Sequence, residues 1–276
     1  MRDECEKTVM ITGTSSGIGK ETAMYFLEKG WNVVATMRHP ENRETELHKI
    51  DGLDIVHLDV TDTASIQEAI AYTLKKYGRI DAIINNAGYP LMGPFELSTV
   101  EQVESQFNTN ILGLMRVTRE IIPIFRRQRE GVIINVASMG GRVSFPMYGA
   151  YNATKWAVEG FSESMKHELA PFGIKIRIIE PGVIKTDFYG RSMERTEEDK
   201  LGDYAEYVKL YERNTQLGGI AHHPRKVAQV IYGAATDRGE RLRYPVGSDA
   251  ETVSLVKKLL PERFFLKVLS FFLNKK

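Results

Sequence analysis

The stretch TVMITGTSSGIGKETA, Thr8 to Ala23, decides the fold. A β-branched apolar run stops at Thr12, three glycines follow at Gly13, Gly17 and Gly19, and a helical pattern opens inside the turn and runs to about Lys29. Strand, glycine turn and helix in that order make a phosphate-binding device. Gly13 permits the tight turn, Gly17 lets backbone approach a pyrophosphate, and Gly19 lets the helix pack close to its strand. The unpaired amides of the helix's first turn, with Ser15, Ser16 and Ile18, then face the phosphates at the positive end of the helix dipole.

Outward from this turn the same alternation repeats. Strand-like runs lie at Asn32–Met37, Asp54–Leu58, Ile80–Asn85, Gly131–Ala137, Ile174–Glu180 and Arg243–Val246. Helix-patterned stretches separate them, at Ala64–Tyr77, a long Val100–Arg126, Tyr151–Leu169 and Arg225–Thr236. Continuous apolar strands joined by helix-length connections predict an α/β fold, a doubly wound parallel seven-stranded sheet of Rossmann type with helices on both faces. At 276 residues with no low-complexity linker, the expectation is one catalytic domain over 1–276.

Composition removes other classes. A net charge of +1 gives no electrostatic footprint for nucleic acid. One cysteine, Cys5, excludes an internal disulfide framework and a cysteine metal cluster, and reads as an exposed bystander thiol. The six histidines lack ligand spacing, so no metal is expected, and His222-His223-Pro224 reads as a loop before a helix. The polar opening MRDECEK is no signal peptide, and nothing approaches a spanning apolar run of ~18 residues; the expectation is a soluble cytoplasmic protein.

The spacing G-x-x-x-G-x-G after a threonine resembles the short-chain dehydrogenase/reductase family, and further landmarks follow in order. They are Asp59-Val60 after the third strand, NNAG (Asn85 to Gly88) after the fourth, and Asn110 in the long helix. Ser138 ends the fifth strand, YNATK runs from Tyr151 to Lys155, and Pro181-Gly182 with Thr186 follows the sixth strand. The likeness spans Thr8 to Asp187. It implies a nicotinamide cofactor held by the glycine turn, by Asp59 and Val60 at the adenine, by Asn86, Ala87 and Gly88, by Tyr151 and Lys155 at the ribose, and by Pro181, Gly182, Val183 and Thr186. Blander roles stay open: Asp59 and Thr186 as helix caps, Asn85 and Asn86 as turn formers, Asn110 as a solvent-facing helix residue.

An acid about 20 residues past the glycines would bind the ribose hydroxyls of NAD. Met37 and Arg38 occupy that place, and no Asp or Glu lies between Gly30 and Pro40. An arginine there suits a 2′-phosphate, so NADP(H) is expected over NAD(H). The second basic residue that the family often carries in the glycine loop is absent, with Ser15 and Ser16 in its place.

Tyr151 and Lys155 are four apart on a helix, hence on one face. A phenol of reference pKa ~10 is a poor base at neutral pH, and a fixed ammonium beside it favours the phenolate. The resemblance implies roles: Tyr151 as general acid/base, Lys155 as its tuner and ribose ligand, Ser138 as holder of the substrate oxygen, and Asn110 as anchor of a relay water. The chain is thus expected to interconvert a carbonyl and an alcohol.

Met139, Phe145, Pro146, Met147 and Tyr148, with Phe188 and Tyr189 opening a polar lid segment over 187–223, suggest an apolar substrate such as a steroid, retinoid or lipid-like ketone. The likeness is greatest to the hydroxysteroid- and retinol-dehydrogenase-like branch. A 3-oxoacyl-thioester or small-carbonyl reductase is the alternative, with Arg142 and Arg191 as its carrier-facing candidates; a non-catalytic NADP-sensing protein is the alternative of another class. The two long helices suggest a homodimer or homotetramer. Finally, 253–276 reads as an amphipathic extension in which Phe264, Phe265, Val268, Leu269, Phe271 and Phe272 share a face opposite Arg263, Lys267 and Ser270. Packing on its own subunit or between subunits is the expectation, with peripheral contact to an anionic membrane as the less favoured reading.

Overall fold

A computed structural model describes residues 6–42, 45–186, 190, 192–200, 202–209 and 221–273, without the side chains of 268, 269 and 271–273. Cys5, Asp187, Phe188, Tyr189, Arg191 and Gly219 lie outside the described residues. The chain begins with β1 (Thr8–Thr12), α1 (Gly17–Glu28), β2 (Asn32–Met37), β3 (Leu53–His57), α2 (Thr63–Tyr77), β4 (Ala82–Asn85) and a short β5 (Leu91–Met92). It continues through α3 (Val100–Phe107), a π-turn (Asn108–Gly113), α4 (Leu114–Gln128), β6 (Gly131–Val136), α5 (Gly149–Leu169) and β7 (Ile174–Pro181). After the short β8 (Glu194–Arg195) come α6 (Pro224–Thr236), β9 (Arg243–Val246), α7 (Ser248–Leu259) and α8 (Glu262–Leu273).

The seven long strands form one sheet in the order β3-β2-β1-β4-β6-β7-β9. Every pairing is parallel, with Ile11 of β1 opposite Ala35 of β2 and Ile84 of β4. Alternation along each strand sends side chains to opposite faces. Val9, Ile11, Val33 and Ala35 pack with Ala23 and Phe26 of α1 and Val227 and Ile231 of α6. Met10, Val34, Ile83 and Ile133 pack with Ile66 of α2 and Val117 and Ile121 of α4 on the other side. Both faces are covered, which is why these strands read as unbroken apolar runs.

Strand order reverses beside β1, whose neighbours are β2 and β4. Loops leaving the carboxyl ends of β1 and β4 therefore diverge to opposite faces and leave a crevice between them. The expected long helix Val100–Arg126 runs without a gap but is not α-helical throughout, because a π-turn widens it at Asn108–Gly113. Gly113 faces Val60 so closely that a Cβ would stand 2.7 Å from Val60 Cγ2. The extra residue of a π-turn re-aims side chains without breaking the helix, and it brings Asn110 inward. A second feature outside the expected pattern is the parallel pair β5–β8, which ties the segment after β4 to residues beyond β7.

Candidate active site

The crevice is a cleft of about 760 Å³. Its floor is the glycine turn. Gly13 has a φ of 70°, and a Cβ there would stand 2.8 Å from the Ala87 Cα; at Gly19 a Cβ would stand 2.3 Å from the Gly13 carbonyl oxygen. Side chains at either place would push the two loops apart. Thr12, which entered the sequence reading only as the threonine before the glycines, stitches them together. Its hydroxyl accepts from the amides of Asn86 (3.0 Å) and Ala87 (3.1 Å), while Asn86 Nδ2 donates to the carbonyls of Thr12 and Gly13 at 2.9 and 3.0 Å. Gly13, Ser15, Ser16, Gly17 and Ile18 border the cleft together with Asn86, Ala87 and Gly88. Gly19 supports the turn from behind.

Ser138, Tyr151 and Lys155 open on the same cleft. Ser138 follows β6, where its Oγ accepts the Gly140 amide at 3.0 Å. Tyr151 and Lys155 lie on α5, both buried, with the ammonium 5.7 Å from the phenol ring centroid. Lys155 Nζ donates to the Val136 carbonyl at 2.9 Å, which fixes the side chain against the end of β6. Burial pushes the Lys155 ammonium down to about 8, with the Glu159 carboxylate pulling the other way. A lysine of this kind titrates within reach of physiological pH, a property concentrated at catalytic sites.

Asn110 does not border the cleft. It is buried, and its side chain is fully engaged: Oδ1 accepts the Tyr89 amide at 3.0 Å, and Nδ2 donates to the Tyr89 carbonyl at 2.9 Å and to Thr154 Oγ1 at 3.2 Å. Its side chain therefore braces the loop after β4 against α5, with both amide protons committed. Asn110→Ala leaves the Tyr89 amide without its acceptor, while the Tyr89 carbonyl keeps the Gln106 side-chain amide at 3.1 Å. A loss of about 1–3 kcal/mol in denaturant-induced unfolding is the expected result, and an unchanged midpoint would contradict the bracing role.

At the adenosine end, Arg38 is exposed at the rim beyond β2, while Met37 is only 2% exposed and packs in the core. Asp59 and Val60 line the cleft. Asp59 Oδ1 accepts from both the amide and the hydroxyl of Thr61 at 2.8 Å, so the residue shapes its turn as well as facing the cleft, while Asp62 caps α2. Across from Arg38 stand Tyr89 and Glu194 of β8; burial and the Glu194 carboxylate push the Tyr89 phenol up to about 12.

Pro181, Gly182 and Thr186 border the cleft, and Val183 sits behind it, its amide donating to Asp249 Oδ2 at 2.6 Å. A Cβ at Gly182 would stand 2.1 Å from Asp249 Oδ1. The loop after β7 is thus clamped by a carboxylate on α7, a partner 66 residues away that no local pattern shows.

Behind the reacting residues lies a polar network equally hidden from sequence reading. Asn85 Nδ2 donates to Thr118 Oγ1 at 3.2 Å and Asn135 Oδ1 at 2.9 Å, and Asn135 Nδ2 donates to Ser162 Oγ at 2.8 Å. These bonds tie β4 and β6 to α4 and α5 and hold the strand ends in register. Met147 packs with Met92, Tyr148, Met193 and Val208, and Met193 also reaches the cleft, giving one end of it an apolar wall. Met139, Phe145, Pro146, Met147 and Tyr148 are not themselves on the cleft lining. Arg142 turns away into an ionic cluster, 3.8 Å from Glu180 and 4.0 Å from Glu159. His223 caps α6, its ring nitrogen accepting the Arg225 amide, with Pro224 in the first turn.

Comparison with known proteins places this geometry in context. The short chain dehydrogenase family model matches residues 7–197. An uncharacterized oxidoreductase of Schizosaccharomyces pombe is 42% identical over 215 residues, 76% of this chain and 88% of that one. A 3-ketodihydrosphingosine reductase of Bacteroides thetaiotaomicron is 33% identical over 269 residues, 96% of this chain and 97% of its own. Among solved structures, a short-chain dehydrogenase from Streptomyces avermitilis superposes with a TM-score of 0.81 at 32% identity, covering 98% of this chain and 97% of that one. ElxO with NADP bound superposes at 0.74 with 27% identity, covering 90% and 99%.

Proposed function

We propose that this chain, which belongs to the short-chain dehydrogenase family, is an NADP(H)-dependent oxidoreductase interconverting a carbonyl and an alcohol on an apolar, lipid-like substrate. The observation that carries the reading is the meeting of Ser138, Tyr151 and Lys155 with the glycine turn on one cleft. The cradle fits a dinucleotide: no side chain can stand at Gly13 or Gly19 without striking the neighbouring loop, and the first amides of α1 border the cleft. Bound there, the nicotinamide supplies or accepts the hydride. Gly17, Ile18 and Thr186 hold the phosphates, Arg38 the 2′-phosphate, Asp59 and Val60 the adenine, and Lys155 the ribose.

The chain's own chemistry is proton traffic and orientation. Ser138 holds the substrate oxygen, and Tyr151 gives that oxygen a proton in reduction or takes one in oxidation. Lys155, anchored on the Val136 carbonyl, keeps positive charge beside the phenol. Apolar Met193 and the cluster behind it favour a substrate with hydrocarbon next to its carbonyl. Similarity to a 3-ketodihydrosphingosine reductase supports a long-chain keto-lipid within that class. The acyl-thioester alternative is weakened, since Arg142 is committed to Glu159 and Glu180 and not to the cleft mouth. A panel of long-chain ketones, steroids, retinoids and acyl thioesters, followed at the nicotinamide absorbance, tests the class; turnover confined to acyl thioesters would refute it.

Arg38→Ala is expected to weaken NADPH binding by about ten- to a hundredfold, the worth of a charge-assisted contact of about 1.5–3 kcal/mol, and to leave NADH nearly untouched. Titration of both cofactors by fluorescence checks it, and equal weakening of both would make Arg38 structural. Met37→Asp is a poor companion substitution, because Met37 is packed in the core and a carboxylate there loses its hydration.

The working assembly in this reading is a cytoplasmic homodimer or homotetramer formed through α3, α4 and α5. Val100 at the start of α3 and Leu112 in the π-turn stand 67% and 46% exposed. Light scattering at micromolar concentration is expected to give a dimer or tetramer mass, and a monomer mass would refute it.

A further inference from the structure

We propose that the C-terminal helix pair, α7 and α8, docks on an anionic lipid bilayer. The inference stands apart from the choice of substrate. Of the ten exposed large hydrophobic side chains among the described residues, four fall within twelve positions: Leu255 (57%), Leu259 (71%), Phe264 (58%) and Leu266 (53%). Leu255 and Leu259 are one turn apart on α7, so they share a face. On α8, Phe265 alone of its three described apolar side chains is buried. Phe264 and Leu266, about 100° to either side of it, remain outside. Packing on its own subunit therefore accounts for one stripe of α8 and leaves Phe264 and Leu266 uncovered on its two flanks.

Charge names the occupant. From Leu255 to Lys276 the chain has six Lys or Arg against one acid, Glu262, a net +5 in a protein whose total is +1. Lys258, Arg263 and Lys267 are exposed among the apolar side chains. A second copy binding symmetrically would set this patch against itself, cation facing cation. An anionic membrane surface takes the same residues without that repulsion: the apolar groups enter the acyl boundary and the cations lie among the headgroups. No helix among the described residues is long and apolar enough to cross a membrane, so the contact is peripheral.

The docked helices are also fastened to the active site. Lys257 is withheld from the patch, since its ammonium lies 4.4 Å from the Trp156 ring and donates to the Arg142 carbonyl, in the turn that follows Ser138. Asp249 at the start of α7 holds the loop after β7. The helices are thus joined through Lys257 to the turn after Ser138 and through Asp249 to the loop after β7.

The test is co-sedimentation of the full chain with vesicles of phosphatidylcholine carrying about a quarter phosphatidylserine, beside vesicles of phosphatidylcholine alone. Binding is expected to the anionic vesicles and to be released by about 0.5 M salt. The triple change Lys258→Gln, Arg263→Gln and Lys267→Gln is expected to weaken it about a hundredfold, at about fivefold per cation. Leu255→Ser with Leu259→Ser, at exposed positions, should abolish it. Absence of sedimentation overturns the proposal, as does equal binding to both vesicles or binding by the triple variant like that of the wild type. A drop in light-scattering mass on Leu255→Ser with Leu259→Ser, without vesicle binding by the parent, overturns it in favour of a second copy. Should a variant fail to fold, the lipid and salt dependence of the unaltered chain still decides.

Discussion

Tyr151→Phe is expected to lower turnover by about 10²–10⁴-fold and to leave NADPH affinity almost unchanged. The substitution removes one oxygen and the proton it carries. The ring stays in place, because Tyr151 is buried on α5 and its ring meets Tyr148 edge-on at a centroid distance of 6.0 Å. Contacts from the glycine turn, which lie across the cleft, are not touched. Initial rates with saturating substrate, beside a cofactor titration, separate the two quantities. Turnover within about tenfold of wild type would remove Tyr151 from the role of general acid/base.

Lys155→Met should abolish activity and yet stabilise the protein in the absence of cofactor. The folded-state pKa of Lys155, about 8, lies below the ordinary 10.5. Below pH 8 the ammonium is charged in both folded and unfolded chains, and the folded chain carries the whole cost of burying it. That cost is about 3 kcal/mol from the depression in pKa. Between pH 8 and 10.5 the folded chain has released the proton and the unfolded chain has not, so wild-type stability rises with pH. The variant lacks this titration. Its advantage is therefore greatest below pH 8 and shrinks towards pH 10.5. Loss of the bond to the Val136 carbonyl takes back about 1–3 kcal/mol. A net gain of about 0–2 kcal/mol at pH 7 is the expected balance. Denaturant unfolding at pH 7 and pH 10 measures it, and a variant less stable than wild type at pH 7, or a difference that ignores pH, would show the burial cost to be misjudged.

Most strands were legible because burial on both faces favours apolar side chains, so Thr8–Thr12 or Gly131–Val136 announce themselves by composition, although Ile174–Pro181 buries Arg177 and Glu180 within the same pattern. Residues that meet the cofactor cleft were legible for a related reason: most sit immediately after a strand, where chain order and spatial order coincide. Ser138, Asn86 and Gly182 are of this kind. The π-turn was not legible, since one extra residue hardly disturbs the apolar spacing of Val100–Gln128. Nor were the partners of Asn110, because Tyr89 is 21 residues away and Thr154 is 44. The short pair β5–β8 spans two residues on each side, too few for alternation to register. Glu159 and Glu180 look like ordinary surface acids in the sequence, yet they are 5% and 2% exposed. Burial raises Glu159 to about 7, with the neighbouring Glu180 adding to the rise and Arg243 opposing it.

The clamp of Asp249 on Gly182 and Val183 has a consequence for the order in which a newly made chain becomes competent. As the polypeptide leaves the ribosome, β1 through β7 and both sequence signatures of the site emerge before β9 and α7. Until Asp249 follows, the loop after β7 has no carboxylate to receive the Val183 amide, and the wall it forms is not yet braced. A chain cut short before Asp249 is therefore expected to keep the glycine turn, Ser138, Tyr151 and Lys155 and yet to hold nucleotide less tightly than the full chain, a difference that cofactor titration of the fragment measures. Ligand-dependent stabilisation then goes preferentially to finished molecules, so binding itself sorts complete chains from fragments.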